Sequence, residues 1–258
     1  MLMGTNIRRG KDRCDHVLTV QGLAQSRDAA VRMILAGKVK SNGVIVDKPS
    51  RVIPNDAVIE IIGKNQPFVS RGGEKLAAAL DAYSIIPRGM ICLDVGCSTG
   101  GFTDCLLQKG AARIYAVDVG YGQFDWRLRQ DPRVVLLERT NIRYMPPSAI
   151  PEPVDLVVVD VSFISLIKVL SPITSFLRSP AHVIALIKPQ FEVGKGQVGR
   201  GGVVRDDTQR AEAAQRVVGF AEEMGLRTMR TVVSPIKGKK GNQEILAIFE
   251  YDTSFRGM

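Results

Sequence analysis

From residue 68 onward the chain alternates between short apolar runs and longer stretches in which apolar residues recur every three or four positions. The runs predict strands over 90–95, 113–118, 133–138, 154–160, 181–187, 227–233 and 244–250. Helical spacing falls between most of them. One helix is predicted from Arg71 to about Tyr83. The clearest, Thr208–Met224, sets Ala211, Ala214, Val217, Val218 and Ala221 on one face. Strands alternating with helices predict an α/β architecture: a mainly parallel, seven-stranded sheet covered on both faces.

The first quarter of the chain reads differently. Residues 1–12 are polar and predict a disordered tail. Residues 13–63 predict a small α+β unit. Val17–Val20 and Gly22–Ala24 suggest a short helical stretch, and Ser26 is placed to cap a helix over Arg27–Ala36 that stops at Gly37. Short strands at 38–40 and 44–46 flank the hairpin signal Ser41-Asn42-Gly43, and 58–62 alternates like another strand. Residues 64–68 read as a linker, after which a second domain spans 69–252.

The chain has 258 residues, room for one or two domains, and is 45% hydrophobic. No run approaches the roughly 20 apolar residues of a membrane helix, and no apolar stretch follows the N-terminal Arg8 and Arg9, so neither a membrane span nor a secretory signal is expected. The four cysteines (Cys14, Cys92, Cys97, Cys105) form no CxxC pair, and only two histidines accompany them. Reduced, mostly buried thiols, no metal site and a cytoplasmic protein are expected. A formal charge of +9 favours a polyanionic partner. Through residue 64 there are eleven basic against six acidic residues, so about a quarter of the chain holds five of those charges.

The densest chemical signal is Asp94-Val-Gly96-Cys97-Ser98-Thr99-Gly100-Gly101-Phe102. It follows an apolar strand and opens a helix, the place where an α/β fold lets a ligand meet bare backbone. The acid precedes the glycines, which suits a cationic cofactor better than a pyrophosphate and points to S-adenosyl-L-methionine. Ser98 and Thr99 offer hydroxyls and N–H groups to a carboxylate. Asp118 ends the next strand, where an acid can take ribose hydroxyls, and Asn141 follows the third, where it can read adenine or simply turn the chain.

Lys75, Asp160, Lys188 and Glu244 are polar residues at the ends of apolar segments. Two lysines and two acids balance charge and could share a buried cluster. An ordinary lysine amine, of pKa about 10.4, is protonated at neutral pH, so a lysine base needs burial or a second ammonium. Lys188 is expected as the base and Asp160 as its orienting partner beside the methyl donor. Lys75 and Glu244 are expected to position the substrate.

Residues 13–63 resemble the S4 RNA-binding domain through Arg13-Cys-Asp15, Gly22–Arg27, Ile34–Val39 and Asn42-Gly43. The resemblance implies phosphate contacts by Arg13, Arg27, Arg32, Lys38 and Lys40. The large domain resembles the FtsJ-type (RrmJ-like) ribose 2′-O-methyltransferases, with Lys75, Asp160, Lys188 and Glu244 matching their Lys–Asp–Lys–Glu tetrad. The chain as a whole resembles the TlyA family through Val69–Leu76, Asp94–Leu106, Asp160–Ser165, Lys188–Phe191, Gly199–Asp206 and Ser234–Glu244. That resemblance implies a Rossmann-like class I methyltransferase acting on cytidine 2′-hydroxyls of 16S or 23S ribosomal RNA, or both, in the ribosomal subunits. The family also carries a haemolysin label. A non-catalytic RNA-binding assembly factor and a pore-forming haemolysin stand as alternatives. Basic loops at Lys195, Arg200 and Arg205 and at Lys237, Lys239 and Lys240 could hold RNA, and Tyr121, Phe124 or Trp126 could stack on a base. The sequence does not give the oligomeric state.

Overall fold

The computed structural model describes residues 10–24, 26–62, 67–194, 196–199, 201–238 and 240–255. Its contacts divide the chain into two units, Met1–Gln66 and Pro67–Met258. Lys195, Arg200 and Lys239 lie outside the described residues, as do 64–66 of the expected linker.

In the first unit β1 (Lys11–Arg13) runs into α1 (Cys14–Val20), followed by α2 (Arg27–Leu35). β2 (Val39–Ser41), β3 (Val44–Ile45), β4 (Val52–Pro54) and β5 (Ile59–Ile61) complete it. The strands pair antiparallel in two sheets, β3-β2-β5 and β1-β4. Ser26 caps α2 by accepting from the Ala29 N–H at 3.2 Å. Two expectations need correction. Lys11 and Asp12 are not tail; they pair with Pro54 and Ile53. The first helix covers Cys14–Val20 and not 22–24, because Gly22 turns left-handed and the Leu23 and Ala24 N–H groups both return to the Leu18 carbonyl. Val17, Leu18, Ala30, Ile34, Val39 and Ile53 are among the buried residues of this unit's core.

The second unit opens with α3 (Gly72–Ala82), β6 (Ile91–Val95), α4 (Gly101–Gln108), β7 (Arg113–Val117), α5 (Trp126–Arg129) and β8 (Val134–Leu137). β9 (Val154–Val159), α6 (Ile167–Ile173), β10 (Leu177–Ile187), α7 (Pro189–Glu192), α8 (Asp207–Glu223), β11 (Leu226–Val233) and β12 (Ile245–Tyr251) follow. One seven-stranded sheet has the order β11-β12-β10-β9-β6-β7-β8. β12 pairs antiparallel with both neighbours, and the other pairings are parallel. Strand alternation splits the core into two faces. Leu93, Val95, Val157, Val159 and Val183 pack with α6 and α8. Cys92, Leu156, Val158, Ile184 and Leu186 pack with α3 and α4. Helix α8 buries the predicted face: Ala214, Val217 and Ala221 are buried and Val218 packs against the same core, while at the N-terminal end Ala213 takes the buried place expected of Ala211, which is exposed. The chain runs from β6 outward to β8, then returns to β9 on the other side of β6. That reversal opens a crevice at the C-terminal ends of β6 and β9. Among the described residues no helix is long and apolar enough to cross a membrane.

Candidate active site

Asp94 occupies a core position of β6. By alternation it faces α4, where Thr103 Oγ1 donates to its Oδ2 at 2.6 Å. Its Oδ1 is buried without a hydrogen-bond partner. Burial pushes the Asp94 carboxyl up to about 7; the Thr103 hydrogen bond opposes this, and the charges of Asp160 and Asp118 reinforce it.

The turn after β6 is built for close approach. Gly96 has φ of 85°, and a Cβ there would lie 2.8 Å from the Asp160 carbonyl. Gly96 and Cys97 N–H groups both donate to the Val117 carbonyl, at 2.9 and 3.2 Å. Gly101 lets α4 meet α3: a Cβ there would fall 2.1 Å from Ser70 Oγ and 3.1 Å from Gly73 N. Gly72, which faces the Phe102 ring, and Gly101 thus serve one helix contact, on the first turn of the helix that carries Lys75.

Asp118 braces the same loop. Its Oδ2 accepts from Ser98 N and its Oδ1 from Gly120 N, each at 2.7 Å. Asn141 Oδ1 caps a short turn by accepting from Arg143 N at 3.1 Å. Cys97 and Phe102 are buried in the apolar cluster beneath the loop, so their side chains belong to the core, and only their backbone faces the turn. Burial also pushes the Cys97 thiol up, which argues against a nucleophile. Phe124 is buried against Gly100, whereas Tyr121 and Trp126 are exposed, and the Arg139 guanidinium stacks 4.1 Å from the Tyr121 ring.

The four tetrad residues form two ion pairs at this edge of the sheet. Lys75 Nζ donates to Glu244 Oε2, both groups buried. Lys188 Nζ lies 2.6 Å from Asp160 Oδ1, off the hydrogen-bonding direction, and donates to Ser162 Oγ at 2.8 Å. Strand register links the pairs. Ile187 pairs with Ile245, so Lys188 and Glu244 are the next residues beyond that rung, and Asp160 is one residue past Val159 on β9. Sequence reasoning passed over three supports. They are Ser162; Gly238, where a Cβ would stand 2.5 Å from Glu244 Oε1; and buried Asn242. Asn242 Oδ1 accepts from Val204 N and its Nδ2 donates to the Gly202 carbonyl. The signal for the last two was present: a small and a polar residue clustered just ahead of a buried acid.

Among the described residues no group of three or more histidine, cysteine, aspartate or glutamate side chains is placed to hold a metal ion. A cationic ligand does fit. Asp94, Asp118 and Asp160 converge on the glycine turn, and the orphaned Asp94 Oδ1 is an acceptor in need of a donor.

In the first unit the RNA-contact candidates divide. Arg13 grips buried Asp15 with two nitrogens, and Arg27 Nε donates to the same carboxylate at 3.2 Å. The paired guanidiniums hold the Asp15 carboxyl down at about 2. These arginines are therefore structural anchors in addition to any outward role. Arg32 and Lys38 are exposed, and Lys40 lies 4.0 Å from Glu60. Arg205, Lys237 and Lys240 are exposed in their loops.

Residues 68–251 match the FtsJ-like methyltransferase family, and residues 13–59 match the S4 domain. A 16S/23S rRNA (cytidine-2′-O)-methyltransferase TlyA of Mycobacterium tuberculosis is 48% identical, over 90% of this chain and 87% of its own length. Hemolysin A of Brachyspira hyodysenteriae is 41% identical, over 92% and 99%. A solved structure of a candidate hemolysin from Streptococcus thermophilus superimposes with a TM-score of 0.73 at 40% identity, covering 94% of this chain and 89% of that one. The chain belongs to the TlyA group of FtsJ-like methyltransferases, with an S4 domain at its N-terminal end.

Proposed function

We propose that the protein transfers a methyl group from S-adenosyl-L-methionine to the 2′-hydroxyl of cytidine in ribosomal RNA, 16S, 23S or both. The observation that carries this reading is the Lys188–Asp160 pair beside the glycine turn, with the buried Lys75–Glu244 pair one rung away. S-adenosyl-L-methionine supplies a methyl carbon made electrophilic by its sulfonium.

The Gly96, Cys97 and Ser98 N–H groups are committed to Val117 and Asp118, so the start of α4, with the Ser98 and Thr99 hydroxyls, receives the cofactor's carboxylate. Asp94 and Asp160 answer its ammonium and sulfonium charges. Asp118 uses its remaining lone pairs for the ribose hydroxyls, and Asn141 uses its amide for the adenine edge. Lys188 Nζ removes the ribose 2′-hydroxyl proton as the oxygen closes on the methyl carbon. The carbon–sulfur bond breaks with its electron pair on sulfur, and the proton stays on Lys188. Asp160 holds that amine in place. Lys75 and Glu244 fix the ribose and keep the pocket's charge balanced.

Arg32, Lys38 and Lys40, with the outward N–H groups of Arg13 and Arg27, place residues 13–63 on the phosphate backbone. Residues 69–252 then act as the methyltransferase module, and the cytoplasm is the site of action. The name printed for the M. tuberculosis relative supports cytidine as the target. Two intact ion pairs favour an active enzyme over a binding factor. The test is incubation with tritiated S-adenosylmethionine and 30S or 50S subunits from a strain lacking this gene. Label in the RNA of either subunit is expected. Cofactor binding with no label on either would overturn the reading.

A further inference from the structure

We propose that Ser162 is a positioning residue for Lys188: its hydroxyl takes one Nζ hydrogen and so aims the amine at the ribose hydroxyl. The inference rests on the reading of Lys188 as the base.

A neutral lysine amine has two N–H bonds and one lone pair. Asp160 Oδ1 stands 2.6 Å from Nζ and Ser162 Oγ 2.8 Å from it. Ser162 Oγ takes one N–H direction, and Asp160 Oδ1 crowds the nitrogen from a second side, off the hydrogen-bonding direction, which leaves the remaining side for the lone pair. With Asp160 alone, a contact already off the hydrogen-bonding direction, the amine could swing about its last bond and carry the lone pair away. Ser162 removes that freedom. As a neutral acceptor it orients the amine without adding a second negative charge beside it.

The surrounding chain keeps the serine in register. Asp160 and Ser162 leave β9 together, and Phe163 then turns sharply at φ of 65°, a left-handed conformation unusual for a bulky residue. Its ring meets Phe191 at a centroid distance of 5.3 Å. Residues 160–163 and 188–191 are therefore tied twice, through Ser162 to Lys188 and through Phe163 to Phe191. The other charged groups around the amine are Asp160 at the end of β9, Glu244 one rung across on β12, and Lys75 on α3 paired with Glu244. Asp94 feels the charge of Asp160, and Glu192 is committed to Ser165 Oγ and Leu166 N.

The full chain is assayed as wild type, Ser162→Ala, Ser162→Thr, Ser162→Asp and Lys188→Met. Ser162→Ala lowers kcat about tenfold while the cofactor Kd stays within about twofold, the size expected for loss of orientation alone. Ser162→Thr restores kcat to within about threefold. Ser162→Asp moves the acid limb of the pH–rate profile up by about one unit, because a carboxylate replaces a neutral acceptor. A Ser162→Ala enzyme with wild-type kcat, or an unmoved limb in Ser162→Asp, overturns the proposal. If Lys188→Met is as active as wild type, the base assignment itself falls. A readout free of activity separates the two: acetic anhydride labelling of Lys188, followed by mass spectrometry. Labelling several-fold faster in Ser162→Ala, but not in Ser162→Thr, supports the contact, and equal rates overturn it.

Discussion

Asp94 carries a prediction whose size can be worked from the structure. Its carboxyl ionises near 7 instead of 3.8, because it is buried and shares its surroundings with two other acids. A cationic cofactor beside Oδ1 favours the ionised form, so binding at pH 6 must expel a proton. The apparent Kd scales as one plus the ratio of protonated to ionised Asp94. That ratio is about ten at pH 6 and about one tenth at pH 8, so affinity for S-adenosylmethionine rises about tenfold between them, or about 1.4 kcal/mol. The ligand-free protein follows the opposite sign. Its unfolded chain ionises near 3.8 while the fold retains the proton, so it loses stability as pH climbs from about 4 to 7. The assay is titration calorimetry at pH 6, 7 and 8 in two buffers of different ionisation heat. Asp94→Asn serves as the baseline that carries the ligand's own titration. After that subtraction, wild type should release close to one proton at pH 6 and about half at pH 7. A flat Kd across the range, or equal proton release by wild type and Asp94→Asn, refutes the reasoning.

Lys75→Met leaves Glu244 buried without its partner and should destabilise the fold by about 3 kcal/mol. Lys75→Met with Glu244→Leu should recover part of that loss, as read by chemical denaturation; a double variant weaker than either single one contradicts the pairing. Gly96→Ala forces an alanine to φ of 85° with its Cβ 2.8 Å from the Asp160 carbonyl. It should cost about 2 kcal/mol and weaken cofactor binding, and unchanged melting and calorimetry would refute the close approach. Asp15, depressed to about 2 by Arg13 and Arg27, stabilises the first unit above pH 3.8, and that support fades as pH falls toward 2. Asp15→Asn should therefore lose about 1 kcal/mol at pH 7, discounted because both arginines are about half exposed, and show a shallower acid transition by circular dichroism.

The centre of the sheet was legible because β6, β9, the second half of β10 and β12 are largely buried and read as apolar runs, whereas edge strand β11 is mostly exposed and was found from its alternation with helices; each predicted strand falls within a few residues of its observed span. Asp94 was legible for the same reason, as a lone acid inside such a run. Other features escaped for physical reasons. β1 and β4 are three-residue edge strands whose pairing is set by tertiary contact and not by pattern. The face of α8 was legible from Ala214 to Ala221; only Ala211 was misplaced, because Ala211, Ala213 and Ala214 crowd its first turns and small side chains mark a face weakly. Side-chain direction at a turn cannot be read from spacing: the Cys97 thiol and the Phe102 ring pack in the core, which leaves their backbone to the turn. Arg13 and Arg27 showed as positive charge, while their shared anchor Asp15, two and twelve residues away, depends on how α1 and α2 pack and not on spacing.

The central claim is that Lys188 deprotonates a ribose hydroxyl at the edge of this sheet. The most direct measurement is alkaline hydrolysis of RNA methylated by the purified protein, with Lys188→Met alongside. Wild type should leave tritium in an alkali-resistant dinucleotide whose 5′ residue is 2′-O-methylcytidine. Lys188→Met should bind S-adenosylmethionine normally and leave none. Label on a base, label on another nucleotide, or full ribose methylation by Lys188→Met would contradict the account.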